Sequence, residues 1–151
     1  MTAFRNRLIA LTAALAFSAP LLAEGTQHIV KVYKSPTCGC CTDWVRHLEE
    51  NDFDVEVHDT ANLNPIKEAA GLTPALASCH TAFVGGYVIE GHVPATDVRR
   101  LLEEAPKARG LAVPGMPLGS PGMEMGGRQD DYQVLLFNDQ GQSQVFATYP
   151  E

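Results

Sequence analysis

Four cysteines, Cys38, Cys40, Cys41 and Cys79, and three methionines, Met116, Met123 and Met125, stand out as residues able to do chemistry. Cys38-Gly39-Cys40-Cys41 holds a C-x-x-C pair, Cys38 and Cys41, just ahead of a helical pattern that begins at Thr42. A helix N-terminus favours thiolate over thiol. Alone, the pair suits disulfide exchange, with Cys38 as attacking and Cys41 as resolving thiol. Cys40 shifts the reading, because a third adjacent thiol invites scrambled pairing in a dithiol enzyme but is an asset when thiolates converge on a soft cation.

Cys79-His80 adds a second group of ligands. In glutaredoxin and thioredoxin relatives a cis-proline faces the C-x-x-C pair; aligning their aromatic-plus-glycine strand with Phe83-Val84-Gly85-Gly86 puts His80 at that position. A ring that would cover the sulfurs is thus replaced by a thiol and an imidazole. Four sulfurs could hold one zinc, but structural zinc is usually met as two separated C-x-x-C pairs in a domain too small to fold without it. The spacing matches no ferredoxin pattern. Bridging thiolates, a histidine and thioethers suit Cu(I), with room for more than one ion. His80, Met116, Met123 and Met125 are secondary candidate ligands, and the methionines could equally serve as packing. His47 lies seven residues beyond Cys40, about 10.5 Å along a helix, too far for one shared metal, so a packed or hydrogen-bonded role is expected. His92 reads as a capping or loop residue, and His28 and His58 offer nothing specific.

These residues need a scaffold, and the pattern supplies one. His28–Lys34 alternates as a strand, a helix runs from Thr42 to Asn51, and Phe53–His58 alternates again. Residues 63–70 form a short helix with Pro65 in its first turn. Residues 79–84 and 87–90 make a hairpin through Gly85-Gly86, and residues 94–105 a last helix. This β-α-β-α-β-β-α order with a cysteine motif after the first strand resembles the thioredoxin-like fold. Residues 106–127, rich in Gly and Pro and holding the three methionines, read as a loop; Tyr132–Phe137 and residues 143–148 form a terminal β-hairpin around Asn138-Asp139-Gln140-Gly141.

The chain has 151 residues, 11 Lys+Arg, 18 Asp+Glu and a net charge of -7. That is long enough to bury a core without disulfide staples. The acidic excess argues against nucleic-acid or anionic-lipid partners and for small cations. Arg5 and Arg7, an apolar run from Leu8 to Phe17 and a small residue at Ala23 read as a signal peptide over residues 1–23, too short and too interrupted by Pro20 for a membrane anchor. Its removal leaves 128 residues with nine basic and 18 acidic side chains. The expected organisation is therefore 1–23 signal peptide, 24–105 thioredoxin-like metal-binding domain, and 106–151 a methionine-rich loop and β-hairpin packed on that domain. All four cysteines fall in the exported part, where thiols are normally oxidised unless protected.

The stretches SPTCGCCTDWVRHL, SCHTAFVGGYVIEGHVPA and GLAVPGMPLGSPGME together resemble the exported CopG copper-resistance family, thioredoxin-like proteins once known only as a domain of unknown function. The ribbon-helix-helix repressors of the same name are unrelated. The resemblance spans nearly the whole exported part. It implies a periplasmic copper protein acting beside other copper-handling proteins, with Cys38, Cys40, Cys41 and Cys79 as the copper set and Cu(I)/Cu(II) interconversion as an activity. No catalytic residue is assigned by it. The residues themselves leave two alternatives open: a thiol-disulfide oxidoreductase using Cys38 and Cys41, and a zinc or structural-disulfide module.

Overall fold

The structure, a computed structural model, describes residues 28–150, so the signal peptide read over residues 1–23 lies outside the described residues. The elements run β1 (Val30–Lys34), α1 (Gly39–Glu50), β2 (Val55–Asp59), α2 (Asn64–Ala69), β3 (Thr81–Val84), β4 (Tyr87–Glu90), α3 (Ala95–Glu104), β5 (Gly110–Ala112), β6 (Tyr132–Phe137) and β7 (Ser143–Tyr149). The strands form one mixed seven-stranded sheet in the order β2-β1-β3-β4-β5-β6-β7. β1 pairs parallel with β2 and antiparallel with β3, and β3 turns back into β4. Gly85 and Gly86 carry φ of 56° and 86° at that turn, which only glycine adopts at no steric cost.

Two packed layers follow from the alternation. Trp44, Val45 and Leu48 of α1 and Val98 and Leu101 of α3 are buried together with Val30, Val32, Ile89 and Leu111. Val88, Ala112 and Phe137, offset by one residue and so facing the other way, gather Ala70 and Leu76 around α2. Helices therefore cover both faces of the β1–β5 region.

The sequence expectation needs two corrections. The helix carrying the cysteines begins at Gly39 rather than Thr42, because Cys38 is its N-cap and the Cys38 sulfur accepts the Cys41 amide at 3.3 Å. The segment 106–127 is also not loop throughout. Gly110–Ala112 is a strand, parallel to β4 and antiparallel to β6, and joins the terminal hairpin to the main sheet. Three buried residues show no alternation to read. Gly110 is required there, since a Cβ would lie 1.8 Å from the Val88 carbonyl oxygen.

Candidate metal centre

The first turn of α1 brings three sulfurs together. Cys38 and Cys41 are joined as a disulfide with Cα atoms 5.3 Å apart, and the Cys40 sulfur lies 3.5 Å from that of Cys38. Cys41 is fully buried, whereas Cys38 and Cys40 are half-buried. The segment before β3 supplies the fourth: the Cys79 carbonyl oxygen is 4.0 Å from the Cys41 sulfur. The four sulfurs all lie within 4.8 Å of one another. The chain separates Cys41 from Cys79 by 38 residues, and the β1–β3 pairing closes that distance.

Behind Cys79 stand two buried imidazoles. His80 Nδ1 is 3.3 Å and His92 Nε2 is 3.0 Å from the Cys79 sulfur, and the thiol and one nitrogen of each ring form a second cluster within 4.8 Å. His92 Nδ1 sits 2.8 Å from the Pro121 carbonyl oxygen, which can only accept, so Nδ1 carries the proton and the Nε2 lone pair faces Cys79. This is how a metal-binding histidine is commonly held. His80 rests against Trp44 with ring centroids 4.3 Å apart and meets the edge of His92 at 5.0 Å. Its Nε2 is buried without a hydrogen-bond partner. The nitrogen that faces Cys79 is Nδ1, and leaving Nε2 unpaired costs about 1–3 kcal/mol.

The electrostatics keep this group neutral. Burial pushes the Cys79 thiol up to about 11, with Cys40 adding to it. Burial holds His80 well below the usual imidazole range, helped by His92, Lys67 and Lys34, and lowers His92 against the pull of Pro121 and Glu124. A neutral thiol donating to a neutral imidazole is the resting state. Displacement of that proton leaves sulfur and nitrogen lone pairs aimed into one space, as a soft cation requires.

His92 thus departs from its expected capping or loop role: it is buried at Cys79, brought there because β4, which ends two residues before it, pairs with β3, which begins two residues after Cys79. The missed signal was the two-residue hairpin itself, whose register sets Thr81 opposite Glu90 and so places residues 79–80 and 91–92 at one end. His47 takes the hydrogen-bonded role expected of it, its Nε2 accepting the Ala95 amide at 3.1 Å. His58 stacks on Tyr33. Met116 and Met125 are exposed and Met123 is half-buried. Their loop nevertheless touches both halves of the centre. Pro121 holds His92, and Gly122 lies so close to α1 that a Cβ would be 2.7 Å from both the Cys40 carbonyl oxygen and the Trp44 nitrogen.

Two solved structures share this arrangement of the chain. "Copper resistance protein copG- Form 1" is 47% identical, with 82% of this chain and 98% of that chain covered at a TM-score of 0.77. The chain belongs to the CopG copper-resistance family. The form 2 structure agrees, at 46% identity with the same coverage and TM-score. A family profile described as "Protein of unknown function, DUF411" matches residues 76–123, the stretch that holds Cys79, His80, His92 and Pro121 but not the Cys38–Cys41 turn. No curated protein matches the chain. For a CopG family member, a cysteine cluster able to hold metal makes a copper-related role the natural one, with copper the metal best suited to sulfur donors. No helix among the described residues is long and apolar enough to cross a membrane.

Proposed function

We propose that this protein is exported to the periplasm, loses residues 1–23, and there protects against copper by holding Cu(I) on Cys38, Cys40, Cys41 and Cys79, either sequestering it or, with an external one-electron carrier, interconverting Cu(I) and Cu(II). His80 and His92 are added nitrogen donors beside Cys79. Residues 24–105 are read as a thioredoxin-like domain, supported by the order β2-β1-β3-β4 and the cysteine turn at the start of α1. Residues 106–151 are its extension. The observation that carries the reading is the set of four sulfurs within 4.8 Å, backed by the two buried imidazoles whose nitrogens lie 3.3 and 3.0 Å from the Cys79 sulfur. Thiolates can bridge, so the site suits more than one ion.

The Cys38–Cys41 disulfide must open before all four sulfurs can bind metal. Opening takes two electrons and releases two thiolates, so an external dithiol of low potential, itself oxidised to a disulfide, has to act first. Anaerobic titration of the phosphine-reduced protein with Cu(I), against a chromophoric Cu(I) chelator, tests the site. The parent should take up more than one Cu(I), with quenching of Trp44, the single tryptophan, which lies beside His80. Full stoichiometry retained in Cys79→Ser or Cys40→Ser contradicts the four-sulfur centre.

A second reading draws on the disulfide. Cys38 half-exposed and Cys41 buried is the arrangement of an attacking and a resolving thiol in a thiol-disulfide oxidoreductase. Insulin reduction by the metal-free protein discriminates: turnover supports the exchanger, and none supports the copper reading. Metal analysis of protein isolated from the periplasm separates both from a zinc module.

A further inference from the structure

The carboxylate of Glu90, the last residue of β4, is completely buried and ends a network that no sulfur chemistry uses. Its Oε1 accepts the Ser78 amide at 2.6 Å and the Lys67 ammonium from α2. Its Oε2 accepts the Thr81 hydroxyl at 2.7 Å, and that hydroxyl in turn accepts from Lys67 at 3.0 Å. Ser78 and Thr81 are the two residues that flank Cys79-His80. Glu90 itself lies two residues before His92, and the Gly91 amide donates to the His80 carbonyl at 3.1 Å. One carboxylate therefore grips both ends of the Cys79-His80 dipeptide from the end of the strand that leads to His92.

We propose that Glu90, with Lys67, is a positioning pair that braces the Cys79-His80 segment so that the Cys79 sulfur and the two imidazoles meet before any metal arrives. The inference deepens the copper reading and rests on it for its consequence, though not for its structural content. His80 has no ring closing onto its own backbone, so φ there is not locked covalently as it is at a proline. The segment needs another restraint, and the carboxylate supplies it at the residue before and the residue after. All three neighbours of Glu90 donate, so the ionised form is the one they accommodate; burial pushes its pKa up, while Lys67 and the donated hydrogen bonds pull it back. A buried carboxylate on an edge of a metal site, touching no candidate ligand atom, is otherwise an expense without a role.

The test compares four proteins with the parent: Glu90→Ala, the neutral double variant E90Q/K67M, Thr81→Val, and Val134→Ala, a core truncation in β6 distant in sequence from the centre. Cu(I) affinity is read by chelator competition on reduced protein, and amide hydrogen exchange at residues 78–81 is read on copper-free protein. E90A should weaken Cu(I) by about 10–100-fold, the usual effect of losing an outer support, and speed exchange at 78–81 at least about tenfold with the rest of the sheet protected. E90Q/K67M keeps an oxygen for the Ser78 amide and leaves no unpaired charge but loses the Lys67 ties to Glu90 and Thr81, so its affinity should fall between those of the parent and E90A, and an affinity as low as that of E90A overturns the part given to the Ser78 bond. V134A should lower the melting temperature with affinity unchanged. Parent-like affinity and exchange in E90A overturns the brace, as does loss of affinity in V134A in step with E90A, which marks general destabilisation. If E90A does not fold, T81V decides: it removes the Oε2 bond and the Lys67 bond to the same hydroxyl but leaves the Ser78 amide held, an affinity loss of about three- to tenfold supports the brace, and none overturns it. A parent that takes up no Cu(I) refutes the copper reading instead, and the copper-free exchange measurement then still decides the brace.

Discussion

The two halves of the centre are built in opposite ways. Cys38, Cys40 and Cys41 come from one helical turn, partly open to solvent and joined there by a disulfide. Cys79, His80 and His92 come from two strand ends, with both imidazoles fully buried and neutral. Local spacing creates the first half; sheet register creates the second. The first half is suited to exchange, because Cys38 and Cys40 are partly accessible and the disulfide can open. The second is suited to hold, because its donors are fixed before a ligand comes. The proposed copper function has use for both properties.

Breaking the seam beneath the second half should have the largest effect. Gly110→Val drives a side chain into the Val88 backbone, so β5 separates from β4 and the chain loses about 3 kcal/mol or more, read as a lowered urea midpoint. A parent-like midpoint would show that β5 is not wedged there. The same variant should leave the Cys38–Cys41 turn able to form its disulfide, since that turn belongs to α1.

Thiol reactivity separates the halves without disturbing the fold. With Cys79 pushed up to about 11, only about 0.1% of it is thiolate at pH 8. Raised pKa means less nucleophile at neutral pH, so the rate of Cys79 alkylation by iodoacetamide in the disulfide form should climb about tenfold per pH unit from pH 8 to 10. A rate that levels off below pH 9 would contradict the buried neutral thiol. The labelled peptide is identified by mass spectrometry, which distinguishes Cys79 from Cys40, the other free cysteine among the described residues.

Much of this molecule was legible in the chain, and what was not has a physical reason. Val30–Lys34, the Gly85-Gly86 hairpin and the Asn138–Gly141 turn announce themselves by period-two alternation and by residues that tolerate positive φ. Cys38–Cys41 and Cys79-His80 could be singled out by residue type. Gly110–Ala112 could not, because a three-residue strand has no period and exists only because β4 and β6 offer edges on either side. His92 was hidden for the same reason: nothing near it in the sequence hints at sulfur, and only pairing of Thr81 with Glu90 sets it beside Cys79. Pro121, acting through its main-chain carbonyl, carries no residue-type signal at all.

His80→Leu sharpens the contrast between stability and binding. It removes the unpartnered buried nitrogen while keeping an apolar side chain against Trp44, so the copper-free protein should gain about 1 kcal/mol, a rise of about 3 °C in Tm, and bind Cu(I) less tightly. A lower Tm would mean that the ring supports the fold rather than the ligand. The smallest effect is expected from replacing Met116, Met123 and Met125 together by Leu, which nearly conserves volume. Equilibrium Cu(I) stoichiometry should not change, because thioether binds less strongly than thiolate, whereas the rate of Cu(I) exchange should. Parent-like exchange kinetics would leave the three as packing residues.

The central claim, one copper centre that draws sulfur from both halves, is tested most directly by anomalous scattering at the copper edge from crystals of reduced protein loaded with Cu(I). The account predicts copper peaks between the first turn of α1 and Cys79, with sulfur from both sides and a nitrogen of His80 or His92 within bonding distance. Copper confined to Cys38, Cys40 and Cys41, or bound away from Cys79 altogether, would contradict it.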